Sequence, residues 1–197
     1  MFRNQKFVAM MGVLVAATVG LVASVVLSWE ALVLAKNADA VLSCDLNAVI
    51  SCATVANHWS STLLGIPNSF IGMIALPVVM TIAVVAMTGA KLPRWFMQVT
   101  QLGAIAGLVF AGWMFYMSYT VIGVLCPWCL TLDVAMVVLF FGVTRYNILG
   151  DFFPVSKQTN DKLQKFVKNG YDMLAMWSVL VLGVLAIILK FGSDLFA

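Results

Sequence analysis

Four cysteines in two pairs carry the chemistry this sequence can offer: Cys126 and Cys129 stand in C-P-W-C, and Cys44 and Cys52 bound the stretch CDLNAVISC. In C-x-x-C the sulfurs lie one helical turn apart, so they can close a small disulfide or stay a dithiol without refolding the chain. Pro127 suits a helix start. A helix N-terminus favours the thiolate, the species that attacks a disulfide or an electrophilic quinone. Zinc sites use the same spacing, but they are usually built on polar loops, whereas Val124, Leu125, Trp128 and Leu130 are apolar. The redox reading is therefore preferred, and no metal site is assigned. No His follows Cys129, which excludes covalent haem attachment.

The elements that must position these thiols are membrane helices. Hydrophobic residues make up 63% of the 197, charged residues only 10%, and mean hydropathy is +1.04; soluble domains carry roughly 25% charged residues. Uncharged stretches run over 7–29, 46–90, 95–132, 134–144 and 173–189. A spanning helix needs about 20 apolar residues, so five spans are expected near 7–29, 69–90, 96–119, 126–146 and 172–191. Between the third and fourth, the chain must turn at Gly123 to Pro127. Arg3 and Lys6 followed by an apolar run, and Ala38-Asp39-Ala40 further on, resemble a cleaved leader, but the run exceeds the usual apolar core of about 7–15 residues. It is read as a retained span.

With the N-terminus cytoplasmic, nine of the eleven basic residues fall inside, leaving Lys36 and Lys190 outside. The 30–68 loop and the 120–126 turn then share the outer face, where disulfides form and persist. The net charge of +3 is accounted for by these inner loops and needs no nucleic acid. The 147–171 segment, with its run of lysines, reads as a solvated inner linker beside anionic lipid. The whole chain, 1–197, reads as one membrane domain in a lipid bilayer.

Cys44 and Cys52 alone would read as a structural staple. Two pairs on one membrane face read instead as a relay, because thiol–disulfide exchange proceeds through mixed disulfides. No Rossmann fingerprint, haem pattern or cluster spacing supplies an internal acceptor, so a membrane quinone is expected. Asn68, at the mouth of the second span, offers a cap or an amide for a quinone carbonyl. Asp133 is the only formal charge in the 95–144 stretch and lies one turn beyond Cys129 on the same helical face. An acid at that depth is a functional candidate, for a second carbonyl or a proton relay, or else a bonded carboxyl. His58 is read as a polar loop residue.

A first span, the loop motif CDLNAVISC, GIPNS opening the second span and CPWC opening the fourth together resemble the vitamin K epoxide reductase (VKOR) family over roughly residues 7–146. The resemblance implies an all-α integral membrane fold: a four-helix transmembrane bundle around a quinone, a fifth transmembrane helix, and an outer loop whose partial helix covers the pocket. The fifth span is similar to bacterial members, quinone-linked disulfide oxidases of the plasma membrane. Many of these carry a fused thioredoxin-like domain; with none in these 197 residues, a separate thioredoxin-fold, DsbA-like partner is implied. By the same resemblance Cys44 exchanges with the partner, Cys52 shuttles between Cys44 and Cys126, Cys129 reacts with the quinone, and Asn68 aligns with the family's quinone-binding Asn. Asp133 stands where animal members have a Tyr, so its role and their inhibitor sensitivity do not carry over. The functional Ser or Thr the family places after the second loop cysteine has no clear counterpart among Asn57, His58, Ser60 and Ser61.

The expected activity is a quinone-dependent oxidase that reoxidises its partner and so makes disulfides in exported proteins. Its rivals are a vitamin K epoxide reductase, a DsbB-like oxidase, which would keep its C-x-x-C in the first outer loop, and a non-catalytic protein stapled by zinc or disulfides.

Overall fold

The computed structural model describes residues 2–195, with side chains over 4–193. Among them five helices are long and apolar enough to cross a membrane. Helix α1 covers Phe2–Lys36, α3 Asn68–Met87, α4 Arg94–Tyr116, α5 Pro127–Gly150 and α7 Tyr171–Leu195; two shorter helices, α2 (Cys52–Ala56) and α6 (Lys157–Lys168), lie between them. Among the described residues there is no strand, only isolated bridges.

The breaks fall where proline and glycine dictate. Pro67 and Pro93 immediately precede α3 and α4, because the residue before a helix needs no N–H for it. The third span ends in a π-wound segment, Met117–Ile122, closed by Gly123 at φ 71°, a conformation that costs glycine nothing. The next helix begins at Pro127 with Cys126 as its cap.

Helix α1 packs against α3 and α5, and α5 against α4. Met10, Val13 and Ala17 of α1 meet Leu76 and Ala83 of α3, Met97 and Ala104 of α4, and Ala135, Leu139 and Val143 of α5. Lipid chains are as apolar as these side chains, so close backbone approach and polar links must hold the helices together. Small residues permit that approach: a Cβ on Gly72 would lie 2.3 Å from Ser24 Oγ, and one on Gly142 2.5 Å from Val13 Cγ2. The Ser28 hydroxyl donates to Ser69 across α1 and α3. Between α4 and α5, Gln101 donates to Thr144 and Asn147 donates to Gln101. By contrast α3 and α4 touch only sparsely, leaving a seam between them.

Two boundaries differ from the sequence expectation. Helix α1 does not stop near Trp29 but runs on to Lys36, so residues 30–36 belong to the helix and not the loop. Glu30 had marked the end of the apolar run, yet Ala-Leu-Val-Leu-Ala follows it and continues the helix into a packed environment. The 147–171 connection is largely helical too. In α6, Val167 and Asn160 are buried, with Val167 packed beside Ile148 and Leu149, while lysines occupy the other face. The fifth span, α7, is pinned by Arg145, which pairs with Asp172 at 2.6 Å, and by Lys190, whose ammonium donates to the Tyr119 carbonyl.

Candidate redox site

All four cysteines gather at one end of the bundle. Cys44, Cys52 and Cys126 are buried in a cluster with Leu34, Leu42 and Val55, and Cys129 packs against it. Lys6 and Lys91 line a cavity with Tyr146 at the other end, and Arg145 stands 19 residues beyond Cys126, about 28 Å along a helix. Cys44 and Cys52 are joined as a disulfide, while Cys126 and Cys129 are free. Cys126 Sγ lies 3.3 Å from Cys52 Sγ. Three sulfurs therefore sit in sequence, Cys44, Cys52, Cys126, and Cys129 follows on the first turn of α5.

Backbone pairing produces that alignment. Ser51 N donates to Leu125 O at 3.0 Å and Leu125 N to Val49 O at 2.9 Å, a parallel bridge between Ile50 and Leu125. Each cysteine is thus one or two residues from a clamped position. Cys126 caps α5, its sulfur accepting from Cys129 N at 3.4 Å. On the other side Ser51 caps α2 by accepting from Thr54 N, which starts the short helix at Cys52.

The loop is gathered by one carboxylate. Asp45 accepts from Leu42 N at 2.8 Å, Ser51 Oγ at 2.7 Å and Ala53 N at 3.0 Å. Burial pushes its pKa up, but these bonds outweigh it and hold the carboxyl below its usual range. A second acid was not singled out from the sequence. Glu30, 5% exposed, places Oε1 at 3.2 Å from Cys44 Sγ. The available signal was a lone acid inside an otherwise apolar stretch close to the first cysteine.

Asn68 and Asp133 occupy different surroundings. The Asn68 amide donates to Ser60 O at 2.6 Å, and its oxygen accepts from Leu63 N at 3.2 Å. It thus ties the loop to α3, while the α3 cap itself is Pro67. Across the seam its nitrogen points at Met114 Sδ of α4, 3.7 Å away. Above the seam the short 3-10 turn Trp59–Thr62 brings Trp59 against Trp113, ring centres 6.2 Å apart. Asp133 is half-buried on α5, within electrostatic reach of Cys129. The loop's remaining polar residues are spent on the loop: His58 Nδ1 pairs with Ser60 Oγ at 2.8 Å and the Ser61 hydroxyl donates to Val55 O.

A thiol relay of this geometry on membrane helices is matched by one sequence profile, that of the vitamin K epoxide reductase family, over residues 11–144. The chain belongs to the vitamin K epoxide reductase family. It is accordingly an oxidoreductase of the membrane, of the quinone-linked thiol class. The matched stretch runs from within α1 to near the end of α5, so it contains both cysteine pairs, Asn68 and Asp133. No curated protein matches the chain significantly.

The residues at the cysteine end fit the quinone that the family implies. An amide nitrogen carries two hydrogens, and Asn68 gives one to Ser60 O, leaving the other aimed into the seam. Phe110 and Trp113 of α4, ring centres 5.7 Å apart, supply aromatic surface there. The largest cavity lies at the basic end, about 960 Å³. The second, about 770 Å³, is an apolar groove between α1 and α5 that reaches Leu130 and Val134. Neither is lined by Cys129, Asn68 or Asp133. The thiol chemistry, not cavity size, marks the site.

Proposed function

We propose that this VKOR-family chain is a quinone-linked disulfide oxidase that reoxidises a thioredoxin-fold, DsbA-like partner. Electrons pass from the partner's dithiol to Cys44/Cys52, then to Cys126/Cys129, then to a quinone held in the α3/α4 seam beside Asn68 and Asp133. One observation carries the reading: Cys52, while still bonded to Cys44, has its sulfur 3.3 Å from that of Cys126. Cys52 is thus poised to exchange with either neighbour, as a shuttle must. When Cys126 and Cys129 are joined, attack by a Cys52 thiolate on Cys126 releases Cys129 as the leaving thiolate. A quinone supplies a two-electron acceptor for the resulting dithiol.

Nine of the eleven basic residues favour a cytoplasmic N-terminus and an extracytoplasmic cysteine end in a bacterial plasma membrane. That side receives newly exported protein thiols. The test is quinone reduction by detergent-solubilised protein supplied with a reduced thioredoxin-fold donor, wild type beside Cys129→Ser. Turnover present in the wild type and lost in the variant supports the relay. Inactive, folded protein holding one zinc per chain, lost with any single cysteine, would replace it by a structural metal.

A further inference from the structure

We infer that Glu30 is the proton donor and acceptor for Cys44 in each turn of thiol–disulfide exchange. This deepens the reading above and rests on it.

The geometry comes from two elements that meet nowhere else. Glu30 lies six residues before the end of α1, and Cys44 lies on the loop. Both are buried, at 5% and 7% exposure, and Oε1 of Glu30 is 3.2 Å from Cys44 Sγ. A disulfide sulfur has no hydrogen to give. The contact is therefore a hydrogen bond only when the carboxyl carries the proton and points it at the sulfur. The other oxygen, Oε2, is buried with no hydrogen-bond partner, and such an oxygen tolerates a neutral acid better than a full charge. The groups facing Glu30 are Asp45 from the loop and Cys126 and Cys129 from α5. Among the described residues no cation pairs with it. The charge of a departing Cys44 thiolate has this carboxyl as its immediate proton source.

The cycle balances. A donor thiolate attacks Cys44 Sγ, the Cys44–Cys52 bond breaks, and Cys52 leaves with the electron pair. The donor's second thiolate then attacks the donor sulfur of the mixed disulfide. Cys44 leaves as a thiolate and takes the proton of Glu30, so the donor is oxidised and the loop pair reduced. Next the Cys52 thiolate attacks Cys126 of a Cys126–Cys129 disulfide, and Cys129 departs with the pair. Glu30, now a carboxylate, removes the proton from Cys44. The Cys44 thiolate attacks Cys52, re-forming the loop disulfide and expelling Cys126 as a thiolate. Glu30 ends protonated, and two electrons have moved to the helix pair. The structure matches this last state: Cys44–Cys52 closed, Cys126 and Cys129 free.

The experiment is a reduced-minus-oxidised infrared difference spectrum of the full chain in detergent, poised with dithiothreitol and without quinone. Reduction is expected to remove a carboxylic acid C=O band and add carboxylate bands in the wild type, and neither change is expected in Glu30→Gln. Cys44→Ser, which keeps the carboxyl but removes its sulfur partner, should also abolish the change. It serves as the second variant should Glu30→Gln not fold. In parallel, turnover with dithiothreitol and menadione should fall on the order of 100-fold in Glu30→Gln at neutral pH, rise with pH as solvent base replaces the carboxylate, and recover in part in Glu30→Asp. A carboxylic acid change that is absent in the wild type, or that survives in Glu30→Gln or Cys44→Ser, overturns the inference. So does Glu30→Gln turnover with wild-type rate and pH profile. Wild-type protein that shows the infrared change but never reduces menadione would instead overturn the quinone reading, leaving proton exchange with Cys44 standing.

Discussion

The two cysteine pairs are held by opposite means. Cys126 and Cys129 are fixed by α5 itself, one turn apart, with the helix start bonded to the Cys126 sulfur. Their spacing is a local property of the sequence. Cys44 and Cys52 sit eight residues apart, and their place depends on Asp45, on the Ile50–Leu125 bridge and on the last turns of α1. A rigid pair and a gathered pair suit different tasks: a helix mouth can keep its thiols aimed at one membrane-bound acceptor, whereas a loop must also open to a protein.

The sharpest way to break that comparison is to remove the terminal thiol. Cys129→Ser should lose quinone reduction by on the order of 1,000-fold or more, while Cys44 still forms a trappable mixed disulfide with a thioredoxin-fold donor lacking its resolving cysteine. A variant that reduced quinone at the normal rate would mean the helix pair is not the exit.

Loosening the loop should be the next largest effect and should be confined to one pair. In Asp45→Asn the three acceptor bonds lose their charge; hydrogen bonds to charged groups contribute about 1.5–3 kcal/mol each, discounted here by solvent. Dithiothreitol should then reduce Cys44–Cys52 roughly tenfold faster, with alkylation of Cys126 and Cys129 unchanged, as mass spectrometry of the alkylated peptides would read. Equal acceleration at both pairs would show that Asp45 does not act on the loop alone.

Acid should imitate that variant. The folded-state pKa of Asp45 is depressed, so its contribution is full above the ordinary carboxylate pKa and lost as pH falls through the lower, folded value. Hydrogen exchange of the 42–53 amides should increase over that interval in the wild type and not in Asp45→Asn. An unchanged exchange rate across it would remove Asp45 from the account of the loop.

The smallest difference between the pairs should come from the packing beneath them. A methyl at Gly72 would fall 2.3 Å from Ser24 Oγ, so Gly72→Ala should lower bundle stability by about 1–3 kcal/mol. It should leave the ratio of exchange rates at the two pairs within about twofold. Thermal unfolding in detergent checks the first part, and a wild-type midpoint would mean that α1 and α3 adjust freely.

The sequence made the local half of this architecture plain. Apolar length and proline placement gave the five spans, and C-P-W-C announced its own geometry because three residues of helix determine it. Residues 30–36 were misassigned because a charge normally ends a span, and only tertiary packing shows that Glu30 is buried against the loop. The Ile50–Leu125 bridge joins segments 75 residues apart, and no pattern within either segment encodes the pairing. Helix α6 was hidden because its lysines read as a solvated linker, while the apolar side that docks on α5 consists of few residues, chiefly Leu163 and Val167.

The π-wound segment Met117–Ile122 has a bearing on chain length. A π turn accommodates one residue more than an α turn, and one residue of α-helix is worth roughly 100° of rotation. Deleting a single residue there would let the segment relax to α winding and swing everything after it out of phase. Leu125 would leave its bridge, and Cys126 would face away from Cys52. The meeting of the two pairs is thus a matter of counting: the surplus residue between Tyr116 and Gly123 acts as a spacer that no substitution of matching hydrophobicity can restore once removed.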